Sequence, residues 1–332
     1  MSSVDCYTLM TGPSFEDKLV KEFTNISNNE AYKLAFNDRV LRRSNDGKSF
    51  VGNDQREHFM PLLIDTIKDK KAIFDVGAGA GEFLDEVHSY VQQATFYLEE
   101  PNSVLLNQYK ERLQQYNFPL GGADERTIQE YLKGDNKMDP VDCILCTHMI
   151  YHLTDFTSKK IQPKEDLIDF ITGLYDQLRD EGCIFLVYAD LETAYAGKIA
   201  LSYFETLEQT HYHSNLSKLY KARNDLLRDQ GALSVLQSLH PNDSITMESH
   251  LFPSRFYGDS IADLAAMSLV GELIESSEKT FEIQKLKHAI HVLNQPNNGI
   301  QLLKEGMWSA NEEQVVCIIR KIPPKESMLN WP

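Results

Sequence analysis

The sequence predicts an α/β fold, a doubly wound and mostly parallel sheet of seven strands with helical insertions. Three observations carry this. Short apolar runs recur at Ala72-Ile73-Phe74, Ala94–Leu98, Cys143–Cys146 and Cys183–Ala189, the signature of strands buried on both faces. Segments of helical periodicity separate them, and that alternation marks parallel strands joined by crossover helices. Between the first two strands Gly77, Gly79 and Gly81 fall at alternate positions, and the second strand ends in Glu99-Glu100. A strand, a Gly-rich turn, a helix and a strand ending in an acid form the layout of a nucleotide-binding βαβ unit.

Taken in order, residues 1–50 read as mostly helical, with Phe15, Leu19, Val20 and Phe23 on one face and Tyr32, Phe36, Val40 and Leu41 on another, before a turn at Ser44–Gly47. A helix over Asp54–Lys68 directs Phe59, Leu62, Leu63 and Ile67 to the sheet. These N-terminal helices either cap a cleft or simply pack. The first strand closes on Asp75, and a helix over Glu82–Gln92 carries Phe83, Leu84, Val87 and Val91 on one face. A helix to about Gln115 follows Pro101-Asn102. A weak strand, Asn117–Gly122, leads into Ala123-Asp124-Glu125-Arg126 and a helix to Leu132. Pro163–Arg179 is amphipathic, Gly182 ends it, and residues 190–240 are helical. Ser244–Tyr257 and Gln314–Lys321 complete the sheet around helices in 259–293 and a loop at 294–299. The expected organisation is an N-terminal helical cap (1–70), a cofactor-binding core (71–190) and a C-terminal half (191–332) with helical insertions forming a substrate lid, one compact unit with the core.

Length, 332 residues, and 42% hydrophobic and 25% charged composition suit a soluble globular chain. Net charge is −16, from 49 acids against 33 bases, so a nucleic acid backbone is a poor partner and cationic ligands are favoured. No run reaches the length of a membrane-spanning helix, and the N-terminus lacks the basic start and apolar core of a signal peptide. Cys143, Cys183 and Cys317 lie in apolar runs, which suits reduced thiols in a cytoplasmic setting. Cys143-x-x-Cys146 has metal-ligand spacing, but residues three apart on a strand face opposite ways and no second pair complements them. His211-x-His213 lacks a third ligand. No metal site is expected.

The candidate site residues follow from the turn and the strand ends. Glycines at 77, 79 and 81 allow a tight turn and close approach of backbone to a ligand. An acid at the tip of the second strand, Glu100, suits ribose hydroxyls. A dinucleotide fingerprint would need a third glycine at position 82, where Glu82 is a poor neighbour for a diphosphate. In folds of this type the loop after the third strand passes an adenine, and Asp124 is the preferred acid there. Glu125 is nearly as good, and both also suit a helix start. Ligands sit beyond the carboxyl ends of strands, which brings Thr147 to the cofactor and His148, Tyr151 and His152 to the chemistry. A histidine there serves equally as a packing residue.

The run Asp75-Val76-Gly77-Ala78-Gly79-Ala80-Gly81-Glu82-Phe83 resembles motif I of class I S-adenosylmethionine (SAM) dependent methyltransferases. Further landmarks resemble histamine N-methyltransferase and its small-molecule relatives: Gly81-Glu82, Glu100-Pro101-Asn102-Ser103 with Tyr109-Lys110-Glu111 behind it, His148–Asp155, and Lys304-Glu305-Gly306 with Asn311. The similarity covers residues 54–320 in patches, most convincingly in the cofactor half. It implies a seven-stranded Rossmann-like methyltransferase fold and SAM as cofactor, with S-adenosylhomocysteine as product. Cofactor contacts are then expected from Asp75, Gly77, Gly79, Gly81, Glu100, Asp124 and Thr147. Two departures matter: the family's amine-binding Asn aligns with Glu312, and its N-terminal amine-binding Glu falls near Gly52. The histamine site is therefore not carried over as such.

The resemblance implies methyl transfer to a small-molecule acceptor, cationic or amine-bearing, by a monomer or weak dimer without nucleic acid or membrane partners. His148 or His152 would assist deprotonation if the acceptor arrives charged. Tyr151 and Tyr188 would line its pocket with aromatic faces, and Glu312 would hold its cationic group unless it is merely an exposed acid at a strand edge. Two other readings stay open: a protein methyltransferase whose helical insertions grip a partner, and a non-catalytic SAM-binding interaction protein.

Overall fold

The computed structural model describes residues 13–40 and 52–322, apart from residues 92, 271, 275–278, 297, 304 and 305. The turn expected at Ser44–Gly47 and the Lys304-Glu305 pair lie outside the described residues. Among the described residues there are nine strands: β1 (Gly52–Asn53), β2 (Ala72–Val76), β3 (Thr95–Glu99), β4 (Leu120–Asp124), β5 (Val141–Thr147), β6 (Leu178–Ala189), β7 (Ser244–Gly258), β8 (Ile300–Leu302) and β9 (Trp308–Ile322). The seven expected strands are all there, with β1 and β8 as short additions. Their order is β1-β7-β9-β6-β5-β2-β3-β4, with β8 on β9. The pairs β2–β3, β2–β5, β3–β4 and β5–β6 are parallel. The chain is thus a mixed α/β protein on a mostly parallel sheet flanked by helices.

Two compact units share the chain. One comprises the residues up to His58 with Ala189–Ser217 and Pro253–Gln314; the other comprises Phe59–Tyr188, Lys218–Phe252 and the residues from Val315. Both are discontinuous in sequence.

In the second unit the core forms two layers, set by strand alternation. On one face Phe74, Val76, Ile144, Cys146, Leu186 and Tyr188 pack on Leu167, Phe170, Ile171 and Leu174 of the helix Pro163–Tyr175. On the other, Ile73, Phe96, Leu98, Leu145 and Phe185 meet Phe59, Leu63 and Ile67 and the inner face of the helix Ser103–Gln115, Leu106, Tyr109 and Leu113. Cys143 and Cys146 fall in opposite layers. Asn102 caps that helix, its side chain accepting from the N–H groups of Val104 and Leu105. The first unit holds the helices Asn28–Ala35, Tyr195–Thr206, Ile261–Ser268 and Ile283–Leu293, the first and third opened by capping boxes. No helix among the described residues is long and apolar enough to cross a membrane.

Several boundaries differ from expectation. The helix expected over Glu82–Gln92 is regular only at Leu84–Val87. Around it the chain winds through turns, with Leu84 N–H on the Gly81 carbonyl and Tyr90 N–H on that of Val87. Leu84, Val87 and Val91 are nonetheless buried, so the apolar period recorded one inward face rather than an unbroken helix. The third strand lies at Leu120–Asp124 rather than Asn117–Gly122, and the helix behind it at Ile128–Lys133, where Thr127 and Glu130 form a capping box. The long amphipathic helix stops at Tyr175, and Gly182 lies inside β6, after Glu181 at φ +63.

Candidate functional site

β2 leaves the sheet at Val76 between β3 and β5. Strands β3 and β4 lie to one side of it and β5 and β6 to the other, so the winding reverses here, at the switch point where open α/β sheets bind ligands. All three glycines of the turn have positive φ: +62, +57 and +72 at Gly77, Gly79 and Gly81. Their surroundings separate them. A Cβ at Gly77 would lie 2.5 Å from Cβ of Met149, and one at Gly81 2.5 Å from the Tyr109 ring, whereas a Cβ at Gly79 would meet nothing within 4 Å. Packing demands glycine at 77 and 81, while Gly79 borders open space. The Gly77–Met149 contact also joins the turn to the cluster at the end of β5.

Three buried carboxyls surround the turn, with Asp75, Glu99 and Glu100 at 2%, 1% and 9% exposure. Asp75 Oδ2 accepts from the Tyr109 hydroxyl at 2.8 Å. Its Oδ1 is buried without a partner among the described residues. Glu99 Oε2 accepts from Gly77 N–H at 2.9 Å. Glu100 Oε2 accepts from Gly79 N–H at 2.9 Å and its Oε1 from Asn102 N–H at 2.8 Å. Burial pushes Asp75 well above the carboxylate range, against the lowering hydrogen bond from Tyr109, and Glu100, Glu99 and Glu82 add repulsion. Burial likewise raises Glu99 to about 7, opposed by the Gly77 bond and reinforced by Glu100 and Asp124.

This donor set has a clear chemical preference. Carboxyl oxygens here accept from hydroxyls, and a bound cation would ease the raised pKa values of Asp75 and Glu99 whereas a diphosphate would push them higher still. The helix after the turn has four residues, too few for the N-terminal dipole and N–H array that a pyrophosphate uses. The turn therefore fits a hydroxylated, positively charged ligand.

At the end of β5, Thr147 is the last strand residue and is half-buried. His148 has φ +57, a left-handed conformation unusual for a side chain of this size. Its Nδ1 lies 3.2 Å from the Tyr151 hydroxyl, the two rings are stacked with centroids 6.3 Å apart, and Phe59 flanks the imidazole. The 3₁₀ turn Ile150–His152 carries Tyr151 and His152. His152 is exposed, and the protein around its ring, followed by the charge of Arg223, lowers its pKa. The imidazole is then neutral at pH 7.

The remaining expected residues are placed differently. Asp124 is gripped by Arg126, whose Nε lies 2.9 Å from Oδ1 and Nη2 2.6 Å from Oδ2, and whose N–H adds a third bond. These contacts lower the Asp124 pKa; Glu125 beside it is exposed. Tyr188 is 1% exposed, and its hydroxyl donates to the Arg223 carbonyl or Asn224 Oδ1, at 3.3 and 3.2 Å. It is a core residue here. Glu312 is not the exposed acid of the simpler reading. It is 6% exposed, Oε2 accepting from Gln55 Nε2 at 2.9 Å and Gln314 Nε2 at 3.2 Å. Burial raises its pKa to about 8 against those two bonds, with Asp190 adding to the rise.

Four contributors were missed. Glu99 was passed over for its neighbour, although both acids were visible. Tyr109 had a signal in its place on the apolar helix face, but not its bond to Asp75. Met149 lies in the His148–Asp155 landmark, but its contact with Gly77 carried no signal, and neither did that of Arg223 with Tyr151, because each pair is 72 residues apart in sequence (149 − 77 and 223 − 151).

No family model matches this chain, and neither does any curated protein. Among solved structures it is similar to the YcgJ protein from Bacillus subtilis, at 14% identity and TM-score 0.47 over 79% of this chain and 97% of that one. It is also similar to the plantazolicin methyltransferase BamL, solved in complex with a triazolic desmethylPZN analog and SAH, at 14% identity and TM-score 0.41 over 93% and 98%. A third is the N-methyltransferase NodS from Bradyrhizobium japonicum WM9, at 9% identity and TM-score 0.38 over 81% and 96%. Likenesses this distant carry no argument about the chemistry of this chain, which rests on its own residues.

Proposed function

We propose that this chain is a SAM-dependent methyltransferase that methylates a small molecule, at an amine nitrogen. One observation carries the reading: three buried carboxyls ring a switch-point glycine turn that opens at Gly79. That surround fits a cofactor bearing a sulfonium and an ammonium, and it is unsuited to a diphosphate. Glu100 would hold the ribose hydroxyls. The unpartnered Asp75 Oδ1 offers an acceptor for a bound donor, and Gly79 keeps the space that a side chain would fill. When bound, SAM supplies a methyl carbon already activated for in-line displacement.

The protein's task is then orientation and exclusion of water. A neutral amine needs little base assistance. For an acceptor that arrives protonated, His148 or the neutral His152 takes the proton, and the Tyr151 face attracts the cation. Glu312 stands where the histamine N-methyltransferase family has an amide. It is buried between Gln55 and Gln314 and takes no part in this reading.

Calorimetry with SAM, S-adenosylhomocysteine and NAD tests the cofactor; binding of NAD without SAM would overturn the reading. Tritiated-methyl transfer from SAM to a metabolite panel, run beside a protein lysate, tests the acceptor. Label entering only protein would replace the small molecule with a protein substrate.

A further inference from the structure

Arg223 belongs to no motif of the sequence, yet it touches the turn that carries two of the three candidate catalytic residues. It is 4% exposed at the end of the helix Thr210–Arg223. Its guanidinium carbon lies 5.1 Å from the centre of the Tyr151 ring, within cation–π range. Nη2 also reaches the carbonyls of Ile150 and Tyr151, at 3.5 and 3.4 Å. The main chain of Arg223 is fixed in turn: the buried Tyr188 hydroxyl lies 3.3 Å from its carbonyl and 3.2 Å from Oδ1 of Asn224. Asn224 opens a wide π-helical turn, Asn224–Arg228, a local irregularity that commonly marks functional positions.

What Arg223 grips needs gripping. The Ile150–His152 turn is closed by long bonds, His152 N–H to the Met149 carbonyl at 3.3 Å and Leu153 N–H to that of Ile150 at 3.4 Å. Just before it, His148 adopts φ +57, a left-handed conformation uncommon outside glycine that its surroundings have to support. The Tyr151 hydroxyl, 3.2 Å from His148 Nδ1, is one such constraint. A line of contacts thus runs from Tyr188 through Arg223 and Tyr151 to His148.

We propose that Arg223 is a positioning residue for the methyl-transfer site: it clamps the Ile150–His152 turn so that Tyr151 holds the His148 ring at the carboxyl end of β5. What the clamp serves rests on the methyltransferase reading; the clamp itself does not. An independent mark of its presence is the His152 ring, whose pKa is lowered by its protein surroundings and then by the Arg223 charge. The contact from the neighbouring helix Ile128–Lys133 is the uncharged Gln129 amide on the His152 carbonyl.

The test is an NMR titration of the histidine ring carbons in the full chain, with calorimetry of SAM alongside. Arg223→Met should raise the His152 midpoint, because a positive neighbour is lost, and should shift the His148 resonances as the Tyr151 contact loosens. Arg223→Lys keeps the charge without the flat guanidinium, so it should leave the His152 midpoint near wild type while still moving His148. Tyr188→Phe, which keeps the buried ring, should move His148 in the same direction by less, and it serves if Arg223→Met does not fold. Titration curves of His148 and His152 that superimpose on wild type in the folded variants would overturn the proposal. Failure of the wild-type chain to bind SAM would instead overturn the methyltransferase reading and leave the clamp standing.

Discussion

Two sets of buried acids in this chain are built differently. Around the Gly77–Gly81 turn, Glu99 and Glu100 accept backbone N–H groups of the turn, and Asp75 accepts a phenol. Around Glu312 the donors are the side-chain amides of Gln55 and Gln314, within a cluster that includes Ser254 and is closed to solvent. Burial raises a pKa in both, to about 7 at Glu99 and about 8 at Glu312. A perturbed carboxyl therefore does not by itself mark a ligand site. The difference lies in space and in the kind of donor. At the turn, backbone donors fixed by positive φ face room beside Gly79; around Glu312, side chains answer one another within the core.

The sharpest way to break this contrast is through the glycines. Gly81→Ala should cost about 3 kcal/mol in urea unfolding, from the left-handed backbone and the collision with Tyr109 together. Gly79→Ala should cost only about 1 kcal/mol. Gly79→Val should leave a folded chain that no longer binds SAM in calorimetry. Equal losses of stability at 79 and 81 would show that no space exists beside Gly79.

Next come the two acids. Glu100→Ala removes a charge-assisted acceptor worth about 1.5–3 kcal/mol, so SAM should bind roughly 10- to 100-fold more weakly. Glu99→Ala should do less, because Glu99 secures Gly77, which packs on Met149. The reverse order in the titration would make Glu99 the ligand-facing acid.

The pH dependence of stability probes the closed cluster. Glu312 has a folded pKa of about 8 against 4.5 for the free group. Between those values the native state holds a proton that the unfolded chain has released. Stability conferred by the protonated form is therefore lost as pH rises across that window. Glu312→Gln cannot titrate, and a Gln314 Oε1 without a partner among the described residues is buried in the same cluster. The variant should be more stable than wild type by about 1 kcal/mol or more near pH 9, with the gain vanishing near pH 5. Melting curves displaced equally at both pH values would contradict the raised pKa.

The smallest effect is expected at Asp124. Arg126 already holds its carboxylate, so Asp124→Asn should change SAM affinity by less than about threefold and stability by about 0.5 kcal/mol. A tenfold loss of SAM affinity would return Asp124 to the cofactor site.

Much of this protein was determined by local sequence. Apolar runs of strand length placed β2, β3, β5 and β6, and three glycines at alternate positions placed the turn, because burial and backbone sterics act within a few residues. Asn102 began its helix for the same reason. Tertiary structure decided the rest. That Gly77 and Gly81 answer to packing while Gly79 answers to space depends on Met149 and Tyr109, which approach only once the sheet and its helices assemble. Tyr188 passed from an expected pocket wall to a core anchor, and Glu312 from a possible surface acid to a buried one, through partners 36 and 257 residues away. Burial and hydrogen bonding between distant residues set both protonation and orientation, and neither is a property of the residue's own neighbourhood in the chain.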